Sequence, residues 1–540
     1  MKKLNRLKPV AAAVLAVSAA GLANAGEVID FENGAKFDWR LTGTYSVSAR
    51  TKDADPLLAG PLNAGANDGD NNFKKGALTA NRLALLFESK LFKGDTGLVL
   101  SGSTFYDDVY HHTNDNDPSL SNPNRVNKPA PFNEFTSEAE RYHGGYSRIL
   151  DAYGYTTFGI GESSATVRLG RQVVNWGEAV FFPNIAMAQG PFDGTKAGIV
   201  GTETKDSVLP EDQIAASIEV TPRWSLLGHA QFGFHETIAQ APGAFLSTSD
   251  STGPGASCLS FYLANGKCTF GTRGADIRPS NTGQWGIGTR YRVTNATELG
   301  LYYLNYNERA PVPEINAITG TYRIRYFDDV KLVGATASTS FGAVSGYAEV
   351  TYRDGAPVLV DAVVSPATGA TIATATRAKV TQANLGGMWN IGRTSFADQV
   401  QLLAELSAVS VGSIEARQAI GSEAFPSAYG FVPSSNPSFR SKDGLAISST
   451  LVLQYPGITE SWDLNVPISY ARQLSGRTLL GGVGGEGDTR YSIGAAFTRN
   501  GNLSISVTYL GYAGSASLDP TKNRLSTDRD QLSVAVKYTF

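Results

Sequence analysis

The sequence predicts an all-β protein, a single closed antiparallel transmembrane β-barrel of about 18 strands, with 16 as the alternative count. Three observations carry that expectation. The chain finishes on Gln531–Phe540, where Leu532, Val534, Val536, Tyr538 and Phe540 share one face of a strand; an aromatic end to a period-two apolar stripe suits a strand that seals a barrel and faces lipid. The chain opens on Lys2, Lys3, Arg6 and Lys8, an apolar run from Val10 to Leu22, and Ala23-Asn24-Ala25, the pattern of a secretory signal peptide (residues 1–25) cleaved after Ala25. Between these ends, short alternating segments continue without any Pro- or Ser-rich linker, which favours one barrel over residues 26–540 rather than several domains.

The leader's apolar run is shorter than the roughly 20 residues that a spanning helix needs, and no later stretch is long and apolar enough to cross as a helix. Strands need only one apolar face. Composition agrees, with 58 Gly and 23 Tyr and a mean hydropathy of −0.15. The formal net charge of −3 becomes −7 once the four leading basic residues are removed, which argues against a nucleic-acid partner.

The first strand shows the alternation most clearly. Phe37, Trp39, Leu41, Gly43, Tyr45, Val47 and Ala49 interleave with Asp38, Arg40, Thr42, Thr44, Ser46 and Ser48, giving one greasy and one wet face. Eight tight turns then recur, at Phe92–Asp95, Gly161–Ser164, Thr221–Trp224, Thr294–Ala296, Phe341–Ala343, Gly392–Thr394, Tyr455–Gly457 and Arg499–Asn502. They alternate with nine long polar connections near 51–79, 107–147, 177–212, 237–282, 308–321, 353–377, 412–443, 474–488 and 513–530. Pro467 lies within an expected strand, where a missing N–H donor implies a bulge or a break.

Cys258 and Cys268 bracket Asn265-Gly266, a turn signal, and the spacing predicts a local disulfide in an oxidising compartment. The pair His111-His112 with Asp107, Asp108, Asp115 and Asp117 reads as a hydrated outer loop rather than a metal centre. Gly482-Val483-Gly484-Gly485-Glu486-Gly487 matches GxGxxG but is followed by a strand, so it lacks the helix N-terminus that would bind a pyrophosphate. No nucleophile elbow, zinc helix or phosphate loop is present in the sequence, and neither an enzyme nor a cofactor is expected.

A barrel this wide needs something to narrow it. The segment near 177–212, with Phe181, Phe182 and Phe192, is too apolar for a solvated loop and is expected to fold inward as a constriction. Alternation places Trp285, Ile287, Tyr291 and Val293 outside with Arg290 and Arg292 inside, and Tyr322, Ile324, Tyr326, Val330 and Leu332 outside with Arg323, Arg325 and Lys331 inside. Such arginines either draw carboxylate-bearing solutes or brace the wall against lumen carboxylates.

The run Arg168-Leu169-Gly170-Arg171-Gln172-Val173-Val174-Asn175-Trp176-Gly177-Glu178 resembles the outer-membrane barrels classed as domain of unknown function 1302. Asp70–Gly76 before Arg82-Leu83, Ser101–Asp107, Ile199–Lys205 with Leu209-Pro210, and Trp462–Pro467 agree with it, while Gly76-Ala77-Leu78 departs from it at Ala77. The resemblance implies a cell outer-membrane location amid lipid and lipopolysaccharide. It also implies a periplasmic lipoprotein-like partner, an inner-membrane exporter, and cargo among lipids, sterols, alkanes or aromatic acids. Within the motif, Arg168 and Gln172 fall on the lumen face with Trp176 and Glu178 beyond them. Arg171 falls on the lipid face unless Gly170 carries a bulge, and a bulge is expected there because a mid-bilayer charge costs about 2 to 4 kcal/mol. The leading expectation is a transport channel, and the alternative is a plugged surface barrel acting in adhesion or envelope assembly.

Overall fold

Eighteen strands form one antiparallel cylinder. The structure, a computed structural model, describes residue 26 and residues 28–116, 133–259, 267–437 and 441–540. The signal peptide, Asn265-Gly266 and Asp117 lie outside the described residues. The barrel strands are β1 (Lys36–Arg50), β2 (Leu78–Lys93), β3 (Thr96–Asp107), β4 (Gly145–Ile160), β5 (Ser163–Gln172), β6 (Glu211–Thr221), β7 (Trp224–Gln231), β8 (Gln284–Arg292) and β9 (Thr297–Tyr306). They continue as β10 (Val330–Phe341), β11 (Val344–Ser365), β12 (Ala370–Gly392), β13 (Gln399–Ile414), β14 (Asp443–Thr459), β15 (Trp462–Ser475), β16 (Thr489–Arg499), β17 (Leu503–Ala513) and β18 (Gln531–Thr539). Each pairs with its neighbours in sequence, and β1 meets β18 from Thr42↔Thr539 to Arg50↔Gln531, which closes the cylinder.

The alternation along β1 is realised with its wet face buried. Thr42, Thr44, Ser46, Ser48 and Arg50 point into an interior filled by loops, and Ser48 and Ser533 share a 2.7 Å hydroxyl contact across the closing seam. Leu98, Leu100, Ile149, Leu169, Ile214, Leu301, Val333 and Leu385 lie exposed on the outside, an apolar band suited to hydrocarbon.

The expected long connection at 353–377 is a correction. β11 runs to Ser365 and β12 resumes at Ala370, paired throughout from Val344↔Trp389 to Ser365↔Ala370. Val358, Leu359, Val360 and Ala362 are all buried, so this hairpin is covered on both faces above the rim and shows no alternation to read. Pro467 sits in one continuous strand. It pairs with Val452 on one side, while the ladder to β16 skips from Asn465 to Ile468, where the missing N–H is harmless.

A second correction concerns Thr321–Arg325. It is not a wall strand but the middle of a three-stranded sheet in the loops, between Val312–Asn316 and Thr272–Arg273. Tyr322, Ile324 and Tyr326 are buried with Phe234 instead of facing lipid. The wall restarts at Val330 after Asp329, whose φ of 54° turns the chain. That reversal puts Val330 and Leu332 inside and Val333 outside, opposite to expectation.

Candidate functional site: the crossing segment and its anchors

β5 ends at Gln172, and the chain then leaves the wall, crosses the interior and rejoins at Glu211. Backbone amides released by this irregular path require acceptors in a water-poor interior, and two buried wall glutamates supply them. Glu349 of β11 accepts Glu178 N–H at 2.6 Å, Ala179 N–H at 3.2 Å and Ile185 N–H at 2.7 Å. Glu405 of β13 accepts the amides of Val180 and Phe181 at 2.8 Å and of Phe182 at 3.2 Å, together with Tyr347 Oη and Asn384 Nδ2, each at 2.6 Å. A carboxylate ringed by successive N–H groups is a strong, oriented anchor. Asn184 completes this end, its Oδ1 accepting from Arg353 Nη2 at 2.7 Å and Thr351 Oγ1 at 2.6 Å.

The segment then turns back. Arg309, fully buried, donates to Ala188 O at 3.0 Å, Gln231 Oε1 at 2.7 Å and Gln284 Oε1 at 3.0 Å, and lies 3.3 Å from Glu211. Farther along, Asp193 and Asp206 lie 2.8 and 3.2 Å from Arg148 of β4, and Lys205 lies 3.0 Å from both Glu88 and Asp151. The crossing segment is thus tied to opposite walls, β11–β13 and β2–β4.

The predicted site residues separate into groups. Trp176 is buried against His229 and Tyr302, and its carbonyl accepts from Arg290 Nη2 at 3.1 Å. Arg290 also donates to Tyr302 Oη at 3.0 Å and faces inward beside Glu178. Arg292 is exposed near the short-turn rim, 3.9 Å from Glu298. Gln172 is buried and exchanges amide bonds with Gln213, so it braces the wall. Arg168 lies inward with its guanidinium 5.9 Å from the Tyr153 ring. Phe181 and Phe182 sit on the crossing segment with Pro183 and Met187, facing a cavity of about 420 Å³ opposite Arg477 and Arg490. Phe192 is 44 % exposed on the return limb, away from that cavity.

Arg323 and Arg325 do not line the lumen. Both bind Glu314 within the loop sheet, at 2.9 and 3.1 Å, because their strand is not part of the wall. Cys258 and Cys268 are joined in a disulfide. His111 stacks on Tyr106 and His112 lies 3.1 Å from Asp108; among the described residues no metal-ligand cluster occurs. The expected bulge at Gly170 is absent, since pairing with β4 and β6 runs without a register shift. Gly170 instead adopts φ 128°, where a Cβ would strike the Ala152 carbonyl. Arg171 stays on the outer face and is neutralised by Asp212 at 3.2 Å, with its Nη2 3.0 Å from His235 Nε2.

Sequence reasoning missed Glu349, Glu405 and Arg353. Their signal was available: each is a charged residue at an inward position of a strand whose other face is apolar, a placement that requires a partner.

A family model described as "Protein of unknown function (DUF1302)" matches residues 6–540. Comparison with the curated proteins finds no match. Among solved structures, the chain is similar to the crystal structure of Acinetobacter baumannii OccAB1 (10 % identity, 96 % of this chain and 99 % of that chain covered, TM-score 0.46). It is also similar to Pseudomonas aeruginosa OpdK with vanillate (11 % identity, 94 % and 99 % covered, TM-score 0.39) and to Acinetobacter baumannii OccAB4 (9 % identity, 96 % and 100 % covered, TM-score 0.43).

Proposed function

The chain belongs to the DUF1302 family, and from that premise we propose that it is an outer-membrane channel for amphipathic organic compounds, among them aromatic and aliphatic acids. One observation carries the reading. The crossing segment presents Phe181, Phe182, Pro183 and Met187 to a cavity whose far side bears Arg477 and Arg490 beside Asp488. An apolar face opposite guanidinium groups accommodates a molecule with a greasy body and an anionic head. Eighteen strands enclose a lumen wider than such a path needs, and this segment narrows it.

The apolar outer band supports an outer-membrane location, and the leader at residues 1–25 supports export to it. A periplasmic lipoprotein-like protein and an inner-membrane exporter are proposed partners on the family resemblance alone.

Single-channel recording on the purified protein in a planar bilayer tests the reading. Resolved conductance that rises when residues 181–187 are replaced by a short Gly-Ser linker supports it. A silent parent protein would favour the plugged, adhesive barrel instead.

A further inference from the structure

β4 pairs with β3 along its whole upper half, from Leu100↔Ala152 to Tyr106↔Gly145. Its pairing with β5 begins only at Ala152↔Arg171. Above that rung β5 has left the wall, and β6 starts at Glu211 opposite Gln172. Among the described residues, no backbone partner replaces β5 along Gly145–Leu150. Apart from the β11–β12 hairpin, which runs past β10 and β13 above the rim, the other neighbouring strand pairs are hydrogen-bonded to their loop-side ends or close to them. Among the described residues the wall therefore has one gap, roughly 20 Å of strand edge at about 3.3 Å per residue.

A cavity of about 450 Å³ occupies the gap, touched by the inward-facing Tyr146 and Arg148 and by the outward-facing Ile149 and Arg171. Its floor is Pro191 and Leu209 of the crossing segment. Ile149 is 58 % exposed, between Leu100 and Tyr106 of the outer face, so the mouth opens at the height of the apolar band. Inside, the closure is ionic: Arg148 joins Asp193 and Asp206, and Tyr146 Oη donates to Asp193 at 2.7 Å. The lining carries Arg148, Arg171, Arg273 and Arg278 in a largely apolar recess, each paired with a carboxylate: Asp193, Asp212, Asp276 and Glu236 in turn.

We infer that this gap is a lateral port, in which a carboxylate-bearing amphiphile dissolved in the outer leaflet docks, its head on Arg171 and its tail against Ile149 and Leu209, on the way between bilayer and lumen. The inference deepens the channel reading and rests on it for the onward route. The geometry selects an acid over a neutral lipid, because Arg171 at the mouth already holds a carboxylate, Asp212, in the position a ligand head would share.

The test uses the full barrel in phosphatidylcholine liposomes containing a diazirine-labelled hexadecanoate, with the methyl ester as control. Irradiation is expected to label peptides containing Tyr142–Leu150 and Leu209–Ile238 with the acid and at least fivefold less with the ester. Arg171→Gln should lower that labelling about fivefold, Arg171→Lys should retain most of it, and Asp212→Asn should raise it. Heat-modifiable mobility on gels verifies that each variant is folded. Labelling spread evenly over Leu301 and Leu385 of the outer belt, or equal for acid and ester, overturns the port. So does a conducting protein with no labelling at Tyr142–Leu150, which leaves the channel reading standing. A parent protein that conducts no ions strikes the channel reading, and with it the onward route.

Discussion

Glu349 grips Ile185 from across the barrel, its Oε1 receiving the Ile185 amide proton at 2.7 Å while its other oxygen holds the amide of Glu178. A single wall carboxylate thus pins both ends of the stretch from Glu178 to Ile185 of the crossing segment. Removing it leaves buried N–H groups without an acceptor, at about 1 to 3 kcal/mol each. Glu349→Ala is expected to loosen residues 178–185, so single-channel conductance and its noise rise together and a protease added from outside cuts within the segment. Glu349→Gln should fall between, since an amide offers one accepting oxygen.

Arg290 places a cation beside Glu178 under the Trp176 carbonyl. Arg290→Gln should shift the reversal potential in a salt gradient toward cations by several millivolts, with the fold retained. An unmoved reversal potential would place the ion path elsewhere.

Arg50 and Arg529 are stacked about Asp70 and Asp528 with no exposure to water, at 2.9 Å for Arg50–Asp528 and 2.7 Å for Arg529–Asp70. The four charges join the top of β1 to the 51–77 and 514–530 connections beside the closing seam. Taking one carboxylate away strands a buried guanidinium, which costs about 3 to 5 kcal/mol. Asp70→Ala should lower the thermal midpoint of the detergent-solubilised protein by several degrees, with Asp70→Asn milder; an unchanged midpoint would mean the cluster is spectator to folding.

His143 sits buried in the outer loops against Tyr110, its Nε2 accepting from Ala241 N–H at 3.2 Å. Burial pushes its pKa down from 6.5 to about 3. The unfolded chain takes up the proton near 6.5 and the folded one only near 3. Stability is therefore whole above pH 6.5 and declines as the solution is acidified below it, by up to about 1.4 kcal/mol per pH unit. His143→Gln, which keeps an acceptor without the titration, should flatten that decline in melts recorded from pH 7 to 4.

Most strand faces and seven of the eight tight turns were legible because each is written locally, in period-two alternation or in turn residues. The turn expected at Tyr455–Gly457 falls instead at Glu460-Ser461, because Pro456-Gly457 makes an irregularity inside a strand that runs on to Thr459. What holds the crossing segment was not legible. Glu349 is separated by 171 residues from Glu178, and Glu405 by 225 from Val180, so only the closed barrel brings them together. The hairpin between Val344 and Gly392 hid for a different reason: coverage on both faces erases the alternation that marks a half-wet strand. Tyr322–Tyr326 misled for the reverse reason, since an alternating stripe packed on Phe234 inside the loops looks the same in sequence as one packed on lipid.

The early departure of β5 from the wall has a reciprocal consequence. The peptide after Gln172 can either continue the ladder beside Gly145–Leu150 or span the interior toward Glu349, but not both. A movement that returned it to the ladder would widen the axial way and shut the sideways one in a single stroke, so the bore along the axis and the opening in the wall are set by the same few residues.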